Sequence, residues 1–397
     1  MKIRRTTRWI AQVSALFVLL LAQNSGAAQS YMFTDLGTLG GSNSSAAAIN
    51  NVGQIVGWAD TSGNSALRAT LWNGTTTTDL GTLGDGEYSG ATAINNSGQI
   101  VGYSRIATSN SELHATLWSG TTATDLGTLN GTNSYAFGIN NSGQVAGYYV
   151  GFGAGTYHAA LWNGAAATDL GTLGGNGSFA YGINNSGLVV GRSNIADGVT
   201  QHAVLWGATT ITDLGTQGGT YGVNNPYQSV ATAINNDGQI AGYARISIST
   251  DNYYAAIWSG ATFTVLGGLD GSSWSSFANA LNNVGQVVGY TYIGDGNTMS
   301  GSTHKHAVVW NGNTATDLNS FLDASSVSAG WVLTQANGIN DNGWIVGDAI
   351  NTLTGETHAF QLAAVPEPET YAMMLAGLAF VGFTTRRRRA GLFDRVT

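Results

Sequence analysis

The stretch Ala93-Ile94-Asn95-Asn96-Ser97-Gly98-Gln99-Ile100-Val101-Gly102 decides the architecture, because the chain holds seven near-copies of this phrase. Its first Asn recurs at Asn50, Asn95, Asn140, Asn184, Asn235, Asn282 and Asn340, at intervals of 44 to 58 residues. A Gly follows three positions later in every copy (Gly53, Gly98, Gly143, Gly187, Gly238, Gly285, Gly343), and a second Gly closes it (Gly57, Gly102, Gly147, Gly191, Gly242, Gly289, Gly347). Two short apolar runs on either side of an Asn-x-Gly turn read as a β-hairpin, since Asn and Gly accept the positive φ that the connection needs.

Working outward from that hairpin, the second copy predicts strands at Ala91–Asn95, Gln99–Tyr103, His114–Trp118 and Thr121–Leu126. Four antiparallel strands every 45 residues or so is the period of a β-propeller blade. The residue before the repeated Ile (Leu281 in the sixth copy) is Ala48, Ala93, Gly138, Gly182, Ala233, Ala280 or Gly338, always small, as innermost strands crowding an axis require. The ends are complementary as well. A lone fourth strand at Tyr31–Leu36 and a third strand at His358–Leu362 can complete one blade and remove an exposed sheet edge. The expectation is an all-β, seven-bladed propeller closed by its N- and C-terminal strands, favoured over an open β-solenoid.

Composition agrees. The 397 residues include 57 Gly, 3 Pro and no Cys; 43% are hydrophobic and 9% charged. That hydrophobicity excludes a disordered polymer, and the lack of Cys excludes disulfides and thiolate metal sites. Three segments follow. Residues 1–28 read as a signal peptide, with basic Lys2, Arg4, Arg5 and Arg8, the apolar run Ala15–Ala22, and small residues Ser25–Ala28 at the cleavage site. Residues 29–364 hold the repeats, and residues 365–397 a sorting segment. Residues 31–364 carry five basic side chains against nineteen acidic ones, which offers no electrostatic footprint for nucleic acid.

The C-terminal segment runs Val365-Pro366-Glu367-Pro368-Glu369-Thr370, an apolar stretch Tyr371–Phe383, then Arg386, Arg387, Arg388 and Arg389. Breaker, short hydrophobic helix and Arg cluster in that order resemble the PEP-CTERM sorting signal. The resemblance implies an exosortase-type enzyme as partner, a transient inner-membrane anchor with the Arg run on the cytoplasmic side, and a final location at the cell envelope, the cell surface or outside the cell. The phrases His202-Ala203-Val204-Leu205-Trp206 and Thr34-Asp35-Leu36-Gly37-Thr38-Leu39-Gly40-Gly41 resemble the extracellular HAF repeats, with departures at Arg68, Tyr254 and Val265. That likeness implies location and fold more than a reaction.

Residue types that carry chemistry are spread one per copy. His114, His158, His202, His306 and His358 share one repeat position, which puts them far apart and leaves no ligand set for a metal. Asp35, Asp79, Asp125, Asp169, Asp213 and Asp317 are likewise solitary and suit hydrogen bonding to local backbone. Trp72, Trp118, Trp162, Trp206, Trp258 and Trp310 suit packing between blades. No nucleophile elbow or zinc helix is present. The reading has no catalytic residues, no cofactor and no metal.

One pattern points to binding. The residue after each closing Gly is Trp58, Tyr103, Tyr148, Arg192, Tyr243, Tyr290 or Asp348, where the second strand leaves for the variable loop. Loops on a rigid scaffold are where function concentrates. The long loops, including the insertions Thr220–Ser229 and Thr291–His304, share this face. Aromatic rings beside Asn, Ser and Thr suit a sugar, and they equally suit packing between blades. The expectation is a noncatalytic exported repeat protein that binds or organises exopolysaccharide or surface proteins. The alternative is an exported polysaccharide-processing hydrolase or lyase with its site on the loop face.

Overall fold

The computed structural model of the protein describes residues 30–365 apart from 110, 130, 153–155, 216–227, 247–251, 261, 270–274 and 295–304. In the first copy, strands Gly40–Ile49, Ile55–Thr61, Leu67–Asn73 and Thr76–Asp79 pair in chain order as an antiparallel meander. The same order recurs in the second to sixth copies, and the seventh takes its fourth strand from the N-terminal end. Two side-chain rules explain the conserved phrase. Asn95 Oδ1 accepts the N–H groups of Ser97 and Gln99 at 3.1 and 2.9 Å, while Gly98 takes φ +79°, closing the turn without strain. At Gly102 the chain passes so close to the bulged first strand that an added Cβ would overlap the Gly90 carbonyl oxygen.

Neighbouring copies are held together by three repeated devices. Trp118 is wholly buried against Val56 and Ala69 of the copy before it, and Trp72, Trp162, Trp206, Trp258 and Trp310 take the same place. At roughly 25 cal/mol per Å² and about 200 Å² per ring, each burial is worth on the order of 5 kcal/mol before entropy is counted. A buried serine follows: Ser134 Oγ accepts Ala115 N–H at 2.8 Å and donates to Gly127 O at 2.7 Å, tying its first strand to the preceding sheet. Around the axis, Asn50 Nδ2 donates to Asn95 O at 3.0 Å, and the pattern continues through Asn95, Asn140, Asn184, Asn235 and Asn282 to Asn340. The small positions beside the repeated Ile are crowded as expected: a Cβ on Gly182 would sit 3.2 Å from Ala233 Cα.

The two ends of the repeat array pair. Strands Ser30–Asp35, Thr357–Val365, Ile345–Asn351 and Trp331–Ile339 lie in that order in one sheet. Leu36 N–H donates to Ala359 O at 2.9 Å, and Ala359 N–H donates to Ser44 Oγ at 2.9 Å.

Two parts of the expected fold are corrected. Instead of seven separate blades, the strands form five four-stranded blades and one eight-stranded sheet. The third and fourth copies fuse through a parallel bridge between Tyr157 and Gly177. The junction is a single residue pair, the counterpart of the isolated parallel bridge between Leu67 and Tyr88 that links the first and second copies. The expected C-terminal hydrophobic helix falls on 366–397, outside the described residues. Among the described residues no helix is long and apolar enough to cross a membrane, and the helical stretches are short, such as Leu318–Phe321 and Ala324–Ser328.

Candidate functional site

Each copy's first strand carries a bulge opposite the closing Gly, and the bulge sets what the loop face displays. The residue after that Gly pairs with the one before the bulge: Tyr103 with Gly90, Tyr148 with Tyr135, Arg192 with Phe179, Tyr290 with Phe277. The bulged residue itself is free to project. Where it is Thr92 or Thr232, the hydroxyl bonds the next copy's backbone, to Ala136 O and Ala278 O at 2.8 Å. In the third and fourth copies it is aromatic, Phe137 and Tyr181.

The rings gather in two clusters. Tyr103 stacks with Tyr88 (5.9 Å between centroids) and meets Tyr135 edge-on at 5.7 Å. Tyr148 stacks on Tyr135 at 5.0 Å and on Phe137 at 5.6 Å, and meets Phe179 edge-on at 4.9 Å. Phe179 stacks in turn on Tyr157 at 5.0 Å. In the second cluster Tyr243 meets Phe277 at 4.8 Å, and Tyr290 stacks on Phe277 at 4.9 Å. Such pairs contribute about 0.5–1.5 kcal/mol each beyond burial. Trp58 and Asp348 stand outside both clusters. Burial raises the phenols of Tyr103, Tyr148 and Tyr290 far above their ordinary value and that of Tyr243 to about 12, so all four remain protonated donors at neutral pH.

Of the positions read from the sequence, Tyr148 and Arg192 meet at one cleft. It has a volume of about 460 Å³ and is lined by Tyr148, Tyr157, Asn176, Gly177, Phe179, Arg192, Asn194, Gly198 and Gln201. Arg192 lies over Phe179 at 4.5 Å and over Tyr181 at 5.9 Å, and its Nη1 donates to Gln201 Oε1 at 2.9 Å. Asn194 Nδ2 donates to Asn176 Oδ1 at 2.9 Å and to Gly198 O at 3.1 Å, which fixes the floor. Tyr157 and Gln201 both precede the repeated His, a position that reads Leu67, Leu113, Tyr157, Gln201, Tyr253, Lys305 and Thr357. Its variability beside a position that is His in five of the seven copies was the available sign that it belongs to the cleft.

Elsewhere the polar repeats build scaffold. His114, His158, His202, His306 and His358 pair through Nδ1 with Asp125, Asp169, Asp213, Asp317 and Asp35 at 2.7–3.0 Å. Each of those aspartates except Asp317 also accepts the N–H of the Gly two residues on, as does Asp79, and Asp317 accepts that of Asn319. Sequence reading treated the two sets separately and missed the pair. Burial pushes the Asp213 carboxyl up, and the bonds from His202 and Gly215 outweigh it, leaving the group below its ordinary value. In the sixth and seventh copies, Lys305 Nζ sits 4.0 Å over the Tyr290 ring and donates to Gln335 Oε1. Nearby, Asp348 accepts Ser45 Oγ at 2.7 Å and Asn337 Nδ2 at 3.3 Å.

The fold and the C-terminal motif together define an all-β propeller carrying a signal for export and cell-envelope targeting. Residues 364–389 match the PEP-CTERM protein-sorting motif, which implies processing by an exosortase. Residues 176–365 match a family described as "Protein of unknown function (DUF3466)", and no match supports the HAF-repeat reading. No curated protein matches the chain. Among solved structures, the β-propeller domain of the Trilobed protease from Pyrococcus furiosus is 12% identical with a TM-score of 0.49, covering 82% of this chain and 98% of that one. TolB from Acinetobacter baumannii is 13% identical with a TM-score of 0.42, covering 78% of this chain, which spans 63% of TolB. A mutant Aleuria aurantia lectin in complex with Fucalpha1-6GlcNAc is 15% identical with a TM-score of 0.37, covering 83% and 98%.

Proposed function

We propose that the protein is a noncatalytic surface propeller whose loop-face cleft binds exopolysaccharide, exported through removal of residues 1–28 and held briefly in the inner membrane by the segment 365–397 before exosortase processing. The observation that carries this reading is the cleft itself. The half-buried rings of Tyr148, Tyr157 and Phe179 stand beside the carboxamides of Asn176, Asn194 and Gln201. A pyranose has an apolar face that an aromatic ring covers and an equatorial rim of hydroxyls that carboxamides bond. A concave site with apolar walls and a few fixed polar groups is the ordinary form of a small-molecule pocket.

The His–Asp pairs support a binder over a hydrolase. The same pair occurs in five copies, next to the cleft and far from it alike, as a strand-locking element would. Glycan-array binding by the full chain, compared with a Tyr148→Ala/Tyr157→Ala double variant, tests the reading. Binding that the double variant loses is the expected result. Unchanged binding removes the cleft, and release of reducing sugar from the producer's own polysaccharide would replace the binder with the enzyme.

A further inference from the structure

We infer that the cleft between the third and fourth copies takes an acidic sugar, with Arg192 receiving the carboxylate of a uronic-acid residue. This rests on the saccharide reading above and narrows it to a chemical class.

Residues 31–364 hold five basic side chains among nineteen acidic ones, so a cation in a binding cleft stands against the general charge of the domain. Among the described residues the ion pairs are all His–Asp, and no carboxylate pairs with Arg192. Its protein partners are uncharged: the Phe179 and Tyr181 rings, and Gln201 Oε1. Its Nε is buried without any hydrogen-bond partner. A guanidinium that is partly desolvated and lacks a counter-ion is unfavourable unless something supplies one.

Geometry then selects the ligand. The guanidinium lies over the Phe179 ring at 4.5 Å and bonds Gln201 Oε1, contacts that restrict its rotamers and leave less entropy to lose on binding. A planar fork of N–H donors matches a planar carboxylate, and the charged hydrogen bonds so formed are roughly twice as strong as neutral ones. Tyr148 and Tyr157 line the same cleft, within reach of the ring that bears that carboxylate. The repeat pattern agrees. The position after the closing Gly is Trp or Tyr in five of the seven copies, and only here does it carry a positive charge. Stacking alone would be served by the tyrosine found in the copies on either side, Tyr148 and Tyr243.

The test uses two probes of one linkage: oligogalacturonate and the same oligomer with its carboxyl groups reduced to alcohols. The full chain should bind the uronate at least about tenfold more tightly, the difference made by one charged contact. That preference should shrink as NaCl rises from 50 to 500 mM. Arg192→Gln should bind both probes equally, at the level wild type shows for the reduced one, and Arg192→Lys should restore part of the preference. Wild type binding both probes equally, or Arg192→Gln keeping the preference, overturns the inference and leaves the saccharide reading in place. Failure to bind either probe while neutral glycans on the array bind has the same consequence. Failure to bind any glycan overturns both. An unchanged melting curve for Arg192→Gln separates lost recognition from lost fold.

Discussion

Asn340 Nδ2 donates to Asn50 O at 3.0 Å across 290 residues, completing a ring of asparagine bonds that passes through every copy of the repeat. A second ring runs parallel to it. Asn51 N–H donates to Asn96 Oδ1 at 3.0 Å, and the chain of bonds continues until Asp341 N–H reaches Asn51 Oδ1 at 3.0 Å. Each Asn thus closes its own turn and grips the next copy, so local and long-range order depend on one side chain.

Asn140→Ala should therefore cost more than an ordinary surface change. It removes the bond to Asn184 O and the acceptor for Ser142 and Gln144 N–H, leaving those groups to find new partners. A loss of about 3 kcal/mol is expected, read by chemical denaturation. A value below about 1 kcal/mol would show that the axial ring is incidental.

Gly147→Ala should be worse. A Cβ there would overlap the Tyr135 carbonyl oxygen, and backbone cannot move aside as a side chain can. Failure to fold, or a loss above about 3 kcal/mol, is expected. Gly164→Ala is the control: φ is +62° with open space around it, so about 1 kcal/mol of conformational strain is the whole effect.

Trp162→Ala should lower stability by about 3–5 kcal/mol through the cavity left between the second and third copies. The loss should appear in the unfolding midpoint, with no requirement for any ligand.

The closing seam should respond to pH. The bond to Asp35 raises the His358 pKa above its ordinary value of 6.5, against an opposing effect of burial. A raised folded-state pKa means that protonation favours the folded form. The added stability is complete below about pH 6.5 and disappears as pH rises through the higher folded value. Hydrogen exchange at the Leu36 amide, which bonds Ala359 O, should thus report faster opening at pH 8.5 than at pH 6 once intrinsic rates are corrected. His358→Gln should abolish that difference, and a difference that survives would place the titrating group elsewhere.

Much of this molecule was legible as text. The spacing of Asn95, Gly98 and Gly102 announced the hairpin, the small residues at Gly138 and Gly182 announced the crowded axis, and the complementary ends announced pairing. These features depend on contacts near in sequence or repeated in every copy, so one copy's constraints are read seven times. The His114–Asp125 pair was visible as two separate columns and was not joined, since only strand register brings residues eleven apart side by side.

The unit was readable from the residues alone: its strands, its turns, its demand for a neighbour to cover Trp118 and its repetition. Where the copies come to differ in three dimensions was settled by packing across them. The cleft where Arg192 meets Tyr148 depends on backbone approach and side-chain direction across the third and fourth copies. A repeat records what all copies share, while a site is made by the few residues in which adjacent copies differ.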